Sequence, residues 1–510
     1  MTSVWLGWQG NLASNQGRGR GRSGRRTGCA MVRCRPLTDH HASSRATCLR
    51  LHGRLTGADR ERDPYAYLRF DVPPGIAAIR ITLDHDPPGD AEDPTRGAVL
   101  DLGLMGPGHL DFGTPAFRGW SGSQRRTVLV GTRQATPGYR PGPIEAGRWH
   151  VVLGLYGIPV AGCDYEVEVE LLELEPTIEP GITPRTPATS PPMPGAVASS
   201  GQRWIACDLH AHTVHSDGAD EIATVAEAAG QAGIEVLFIT DHNTDSHHPH
   251  LAEAGEAVGI TLLPGEEVTT YGGHFNALGI RAWVDFRHST PLQVRSAIDA
   301  IHAQGGLASV NHPASDGSPW THGLDLPFDL VEVWNGPWRS ENAAALDWWV
   351  GLLRSGRRTA AVGGSDMHSL LPRGQPVGTP VTWVLAASSD RDHIVAGLRA
   401  GRTIVTRDGS VRIPKLRVID GAGQVAGIGA AVRVAGPIDV EWQAYAQPGR
   451  QLRILSSVGV IGTADLRSDE ARGRMRLEAA AAVAARHVRL EIRRDEDLIA
   501  VTNPIFLEAS

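Results

Sequence analysis

Asp208-Leu209-His210-Ala211-His212-Thr213-Val214-His215-Ser216-Asp217-Gly218 is the stretch on which the reading of the whole chain turns. The mainly apolar run 204–209 predicts a strand that ends at His210. Side chains alternate along a strand, so His210 and His212, two apart, face the same way. Asp217 follows in a turn that closes at Gly218, just ahead of a helix predicted over 221–232. A lone pair of histidines two apart says little. Two histidines at a strand end with a carboxylate in the next turn form the start of a metal-ligand set.

Outward from this stretch the same arrangement recurs. Ile239-Thr240-Asp241-His242 runs from a predicted strand (236–240) into Asp-His. Leu263-Pro264-Gly265-Glu266-Glu267 puts two acids beyond the strand at 260–263, and spacing from Gly265 favours Glu267 over Glu266. Gly273-His274 precedes a strand at 275–280, and Val310-Asn311-His312-Pro313 follows one at 306–310. Gly363-Gly364-Ser365-Asp366-Met367-His368 sets two ligand types two apart beyond the strand at 359–362. Ligand-type residues therefore track strand ends, which scattered buried histidines would not do. The predicted metal set is His210, His212, Asp217, His242, Glu267, His274, His312, Asp366 and His368. Of these, His210, His212, Glu267, Asp366 and His368 are the predicted catalytic residues. Imidazole and carboxylate ligands without thiolate suit two or three divalent ions per chain: Mn, Zn or Fe.

Between these motifs, strands alternate with helices (291–304, 341–354, 391–398), which predicts a parallel α/β sheet over 204–408. Thr290 before Pro291 is a good start signal for the second of the chain's predicted helices. The regions either side differ. Residues 47–174 alternate with a period of two, as in Leu68-Arg69-Phe70-Asp71-Val72 and Tyr165-Glu166-Val167-Glu168-Val169-Glu170-Leu171, predicting a β-sandwich. Residues 175–203 are rich in Pro, Ser, Thr and Gly and read as a linker. Residues 409–510 return to short strands and read as a small C-terminal β domain, with Ala479–Ala485 an apolar exception. Residues 1–46 read as a disordered, Arg- and Gly-rich extension.

At this point the chain resembles the PHP (polymerase and histidinol phosphatase) superfamily. His210-to-Gly218, Thr240-Asp241-His242, Gly265-to-Glu267, His274, Asn311-His312-Pro313 and Gly364-to-His368 occur in that family's order. Phe117-Arg118-Gly119-Trp120-Ser121-Gly122, Ala135-Thr136-Pro137-Gly138-Tyr139, Val331-Glu332-Val333-Trp334-Asn335-Gly336 and Thr502-Asn503-Pro504-Ile505 are similar to its carbaryl-hydrolase-like (CehA/McbA-type) branch. The resemblance implies a multidomain protein with a central α/β, distorted (βα)7 PHP barrel, flanked by the N-terminal β-sandwich and the C-terminal β domain. It also implies a ligand partition. His210, His212, Glu267 and Asp366 would hold one ion, Glu267, His274 and His312 a second, and Asp217, His242 and His368 a third. The implied reaction is hydrolysis by metal-bound hydroxide, first of a phosphoester on a small molecule. A carbamate or carboxylic ester, or an amide, is the second reading. An inactive barrel carrying β binding modules is the non-enzymatic one.

Residues near the ligands carry expectations of their own. Asp208 and Asp241 are predicted to hydrogen-bond to ligating histidines. Asn335, Arg339 and Arg373 are the candidates for substrate contact. Trp320, Trp334 and Trp338 are either pocket walls or core. His215 is expected to be exposed, and His247, His248 and His250 to lie in a solvated loop.

The whole-chain properties narrow the classes further. A net charge of -7 over 510 residues gives no basic face for nucleic acid. No apolar run of membrane-spanning length or secretory leader is recognised, so a cytoplasmic, non-membrane protein is expected, with homo-oligomerisation left open. Five cysteines are too scattered for a disulfide framework. Lys415 is the one lysine, so Schiff-base or carbamylated-lysine chemistry has no residue to use in the central region.

Overall fold

Strict alternation in the N-terminal region does what a period of two demands. The structure, a computed structural model, describes residues 46–86, 97–110, 116–177, 201–371, 374–445, 449–467 and 470–509. Nearly all of the expected extension, most of the expected linker, and Arg373 lie outside the described residues. The chain divides into two compact units, Met1–Gly181 and Ile182–Ser510.

In the first unit the elements are β1 (Ala46–Leu55), α1 (Gly57–Arg62), β2 (Tyr65–Val72), β3 (Ala78–His85), β4 (Val99–Met105), β5 (Phe117–Gly122), β6 (Thr127–Gly131), β7 (Gly147–Gly157) and β8 (Cys163–Leu172). They form two four-stranded sheets, β1-β8-β3-β6 and β2-β7-β4-β5. All pairs are antiparallel, as Ile79↔Leu171 and Phe70↔Trp149 illustrate. On β8, Val167, Val169 and Leu171 are buried while Glu166, Glu168 and Glu170 stay accessible to solvent. Both sheets feed one core, which includes Phe70, Ile81, Leu102, Trp149 and Val169.

In the second unit the chain runs β9 (Arg203–Asp208), α2 (Ile222–Gln231), β10 (Val236–Ile239), α3 (Leu251–Val258), β11 (Thr261–Thr270), β12 (Gly273–Leu278), α4 (Pro291–Ala303), β13 (Leu307–Val310), β14 (Leu330–Asn335), α5 (Ser340–Ser355), β15 (Ala360–Gly364), β16 (Val381–Ala386), α6 (Arg391–Arg399) and β17 (Thr403–Thr406). It continues through β18 (Lys415–Ile419), β19 (Val425–Gly427), β20 (Ala431–Val434), β21 (Ile438–Ala444), β22 (Arg450–Ser456), β23 (Gly459–Leu466), β24 (Ala471–Leu477), α7 (Ala479–Ala485), β25 (His487–Arg494), β26 (Asp497–Thr502) and β27 (Ile505–Ala509).

The long sheet is ordered β15-β14-β13-β12-β11-β10-β9-β16-β17-β26-β25-β22-β23. Parallel pairing holds for β9–β10–β11 and β13–β14–β15. The expected all-parallel alternation fails in the middle, where β11–β12 and β12–β13 are antiparallel. The cause is local. Only Tyr271 and Gly272 separate β11 from β12, too short a link for a crossover helix, so the strands pair as a hairpin. Gly273 makes the turn with φ of 120°, in the region that favours glycine. α4 starts as the sequence indicates: Thr290 Oγ accepts from the Gln293 amide and the Gln293 side chain accepts from Thr290 N–H, with Pro291 in the first turn.

Residues 409–510 do not separate from the sheet that precedes them. β26 pairs with β17, Val501 opposite Val405, and β25, β22 and β23 extend the same sheet. One core includes Ala206 and Ile239 along with Val440, Ile454 and Ile492. Asn503, fully buried, fastens the join. Its side chain accepts from Ala361 N–H (2.8 Å) and donates to Ala361 O (2.8 Å) on β15. Leucine at this position would keep the volume, leave the Ala361 N–H without its acceptor and leave Ala361 O with only Thr403 Oγ (3.0 Å). Asn503→Leu is expected to lower unfolding free energy by about 2–4 kcal/mol, measured by urea denaturation. A chain cut after residue 408 is expected to be insoluble, because it exposes the β17 edge and half of that core.

Candidate metal centre

The ligands converge at one end of the sheet: the chain leaves the parallel strands β9, β10, β13 and β15 there, and the β11–β12 hairpin brings Glu267 and His274 to the same end. Two links tie the first strand to the last. Asp366 N–H donates to His210 O (2.8 Å), and His212 N–H donates to Met367 O (2.9 Å). Gly364 permits this approach: a Cβ there would lie 2.4 Å from His210 Cβ. Gly218 likewise lets its turn fold onto the His212–Thr213 backbone, with a built Cβ only 2.6 Å from it.

Three overlapping groups of side chains result, each with ligand atoms within 4.8 Å of one another: His210, His212, Glu267 and Asp366; His212, Asp217, His242 and His368; and His242, Glu267 and His274. The first matches the expected partition. The second adds His212 to the expected three. The third replaces His312 with His242, although His312 Nε2 still lies 3.3 Å from Glu267 Oε1. His274 points inward, its Nδ1 3.2 Å from Glu267. Alternation on β11 separates the two glutamates. Glu267 faces the cluster, whereas Glu266 accepts from Val284 N–H (2.8 Å) on the other side.

In three of the imidazoles, one nitrogen is held by an acceptor and the other is left to the cluster. His210 Nδ1 lies 2.9 Å from Glu332 Oε1, and its buried Nε2 has no hydrogen-bond partner. His242 Nδ1 lies 2.5 Å from Thr269 Oγ and 3.0 Å from Glu267 Oε2, and its Nε2 faces Asp217 at 3.6 Å. His368 Nδ1 donates to Asp366 O (2.9 Å), and its Nε2 faces Asp217 at 3.2 Å. Fixing one ring nitrogen fixes the tautomer and presents the other as a lone pair.

Charge follows from this crowding. Burial would raise the carboxyls of Glu267 and Asp366, but the surrounding histidines hold both well below the usual range. Asp217 is lowered likewise by His242 and His368 against burial. Burial pulls His210 down, yet Asp366, Glu332 and Glu267 outweigh it and raise its pKa well above normal. His312 is raised by Glu267 against burial. His368, also opposed by burial, is pushed up to about 10 by Asp217 and Asp366. Without a cation, protons on these histidines balance the carboxylates. Divalent ions would do so with the lone pairs already aimed. The nitrogen and oxygen donor set, the orphaned His210 Nε2 and the tautomer locks therefore fit a metal centre.

Backbone conformation marks the same place. His312 (φ 28°), Asp366 (φ 51°) and Asn243 (φ 57°) occupy left-handed conformations. Such residues cost of order 1–3 kcal/mol each and persist only where the surroundings hold them. His312 N–H donates to Glu332 Oε2 (3.0 Å), and Asn243 spans to β11 by accepting from Thr269 N–H (2.7 Å).

Other expectations need correction. Asp208 binds backbone amides rather than imidazoles: Ser365 N–H (2.9 Å), Gly378 N–H (2.8 Å) and His210 N–H (3.3 Å). Burial raises its pKa. Asp241 holds the turn after His212 through Thr213 N–H (2.8 Å), Thr213 Oγ (2.7 Å) and Ser216 Oγ (2.6 Å). His247 is fully buried, not solvated, because its loop folds back onto the Ile239 and Gly265 carbonyls, at 3.1 and 3.0 Å from its Nε2. His215 is buried against Ser246 Oγ at 2.8 Å. His250 stays exposed. Asn335 points at Asp366 Oδ2 (3.1 Å) and Glu332 Oε2 (3.0 Å), so its amide is spent on the cluster's frame. Arg339 is exposed. Trp334 is core, stacked edge-on with half-buried Trp338 at 4.9 Å, while Trp320 packs on His322 at 5.1 Å.

Two residues were not singled out from sequence. Glu332 orients His210, His312 and Asn335 together; a lone acid inside the apolar strand Leu330-Val331-Glu332-Val333-Trp334 was its signal. Gln375, with its amide turned to satisfy both sides, donates to the Ser365 and Asp366 carbonyls (2.6 Å each) and accepts from Arg339 (3.1 Å). Nothing in sequence spacing marks it.

Residues 208–302 match the PHP domain model. An uncharacterized protein of Methanocaldococcus jannaschii is 31% identical over 144 residues, 25% of this chain and 80% of that protein. The chain belongs to the PHP domain family. A phosphoribosyl 1,2-cyclic phosphate 1,2-diphosphodiesterase of Eggerthella lenta is 41% identical over 64 residues, 12% of this chain and 24% of that protein. A 5′-3′ exoribonuclease of Salmonella typhimurium is 33% identical over 78 residues, 15% and 27% of the respective chains. Among solved structures, a two-domain protein from Bacteroides vulgatus, described as containing a predicted PHP-like metal-dependent phosphoesterase, aligns at 18% identity and TM-score 0.37 over 62% of this chain and all of that one. No helix among the described residues is long and apolar enough to cross a membrane.

Glu332→Ala is expected to weaken metal affinity about 10–100-fold, read by competition with a chromogenic chelator. Gly364→Ala should give folded protein with depleted metal content, because the new methyl displaces His210. Chelator-treated protein should also have a pH optimum of stability. Burial lowers His242, His322 and His487 to about 4 from 6.5, so their stability contribution is full above 6.5 and lost as pH falls toward 4. His368 acts oppositely: its contribution is full below 6.5 and lost as pH rises through about 10. Melting temperature against pH should fall on both sides of that range.

Proposed function

We propose that this protein is a metal-dependent hydrolase whose first-choice reaction is cleavage of a phosphoester on a small molecule. The observation that carries the reading is the overlap of the three ligand groups, which share His212, His242 and Glu267. Overlap of this kind suits two or three closely spaced ions rather than one. Mn, Zn and Fe all accept such donors. Bound divalent ions would supply Lewis acidity toward a substrate oxygen and bring the pKa of water near neutrality.

The chain's own residues set the geometry around that chemistry. Glu332 presents His210, and Asp241 through Ser216 steadies the turn beside His212. Asn335 holds Asp366 from behind. His368 is the most open of the group, its side chain 37% exposed, and is placed to meet substrate. The two functionally named relatives, a diphosphodiesterase and an exoribonuclease, support a phosphate–oxygen bond as the target. The net charge of -7 supports a small molecule over nucleic acid.

A carbamate or carboxylic ester is the second reading, in keeping with the carbaryl-hydrolase-like branch. One observation favours it. Among the described residues, no arginine hydrogen-bonds or ion-pairs with any of the nine ligand positions, and Arg339 reaches Asp366 only through Gln375. We further read β9–β15 as a distorted (βα)7-type barrel, supported by the parallel bridge Ala211↔Met367 between its outer strands, and the first unit as a β-sandwich.

Protein purified without chelator is expected to contain two or three ions per chain by plasma mass spectrometry. It should release nitrophenol from p-nitrophenyl phosphate, and His210→Ala should lose both metal and activity. Cleavage of 1-naphthyl N-methylcarbamate with no phosphatase activity would shift the assignment to the second reading. Absence of metal and of both activities would refute the hydrolase.

A further inference from the structure

β22 begins with a buried charge that has no acceptor. Arg450 is 8% exposed, and its side chain lies on the same face of the strand as the core residues Leu452 and Ile454. Its buried Nε has no hydrogen-bond partner, and among the described residues its guanidinium forms no hydrogen bond or ion pair. The surroundings make this worse. β22 and β25 pair with Leu452 opposite Ile492 and Gln451 opposite Arg493, so the next step sets Arg494 across from Arg450 on the same face. Like charges directly opposite are unfavourable.

Arg407, just past the end of β17, adds a third cation. Its N–H donates to Ile499 O on β26 (3.0 Å). Burial, then Arg494 and Arg407, lower the Arg450 pKa, with Asp408 as the opposing acid. That acid is already engaged: Asp408 accepts from Arg407 Nε (2.9 Å), Ser410 N–H (2.9 Å) and Ser410 Oγ. Asp497, paired with Arg494 across the β25–β26 turn, is exposed and makes no ion pair with it.

An uncompensated buried charge is unfavourable, and a bound anion would relieve it. Guanidinium forks match the spacing of oxyanion oxygens, and converging arginines favour a doubly charged anion over chloride. We propose that Arg450, Arg494 and Arg407 form a binding site for a phosphate- or sulfate-class oxyanion, separate from the metal centre. Val381 pairs with Thr406 and Thr382 with Cys207, which puts the arginines at the same end of the sheet as the metal ligands. β22 lies five strands from β9, about 24 Å along the sheet at the usual strand spacing. The site is thus an accessory one and goes beyond the proposed hydrolysis.

Metal-stripped protein tests it without involving the metal centre. Inorganic sulfate should bind in isothermal titration and raise the melting temperature more than chloride at matched ionic strength. R450M should melt at or above the wild-type temperature without sulfate, since it removes an unpaired charge, and should lose the sulfate shift. R494Q, at an exposed position, should reduce the shift while leaving the fold intact. Saturation by inorganic phosphate but not glycerol phosphate would identify a free ion as ligand; equal response would identify the phosphate group of a larger molecule. A wild-type response no greater than to chloride, or a shift unchanged in both variants, would overturn the proposal.

Discussion

A single carboxylate, Glu332, sets the frame on which the metal centre depends. It stands in the middle of β14, between Val331 and Val333 along the strand, and three groups meet it: His210 Nδ1, the His312 amide and the Asn335 side chain. Each belongs to a different segment, so one buried charge fixes the relative position of the ends of β9, β13 and β14. An acid there is stable only because all of these donors reach it. The donors in turn gain an acceptor that does not compete for the side of the ring facing the cluster. His210 is the clearest case, with one nitrogen committed to Glu332 and the other aimed at Glu267 and Asp366.

Around that frame the protein gathers three carboxylates and six imidazoles, a density of like groups that no ordinary core would tolerate. The strained backbone at His312 and Asp366 belongs to the same design. Strain, mutual repulsion and desolvation are all borne by the sheet beneath, where Ile205, Cys207, Phe238, Leu263 and Leu330 share one buried cluster that gives the strand ends their base. Cys207, one residue from Asp208, belongs to that base, and burial raises its thiol pKa well above normal.

Much of this gathering was legible in the sequence, for a simple reason. Strand periodicity fixes which way a side chain points, and the residues concerned sit at or just past strand ends, where a period of two is enough to place His210 and His212 on one face. Spacing from Gly265 told Glu267 from Glu266. What could not be read depends on partners remote in sequence. Gln375 acts on Ser365 and Arg339, and Asn335 acts on Asp366, through loops whose paths no local pattern encodes. His247 looked like part of a polar loop because Ser246-His247-His248-Pro249-His250 is polar. It is buried because its loop folds back so that the ring meets the Ile239 and Gly265 carbonyls, the latter shared with His248 Nε2. The antiparallel hairpin at Tyr271-Gly272 was hidden by length alone, since two residues decide it. The continuity of β17 with β26 was hidden because pairing across about a hundred residues leaves no local trace.

That continuity has a consequence for how the centre is born. A nascent chain that has emerged only through His368 already carries all nine candidate ligands. It still lacks Thr403 and Asn503, whose side chains meet the Ala361 N–H and carbonyl on the strand leading to Asp366. During synthesis, the ligands are thus present well before the strand that must hold two of them is locked. Metal capture before that point would act on a loosely held set, and capture after it on a finished one. Docking of the C-terminal strands is therefore the step that completes the hydrogen bonding of the strand leading to Asp366 and His368.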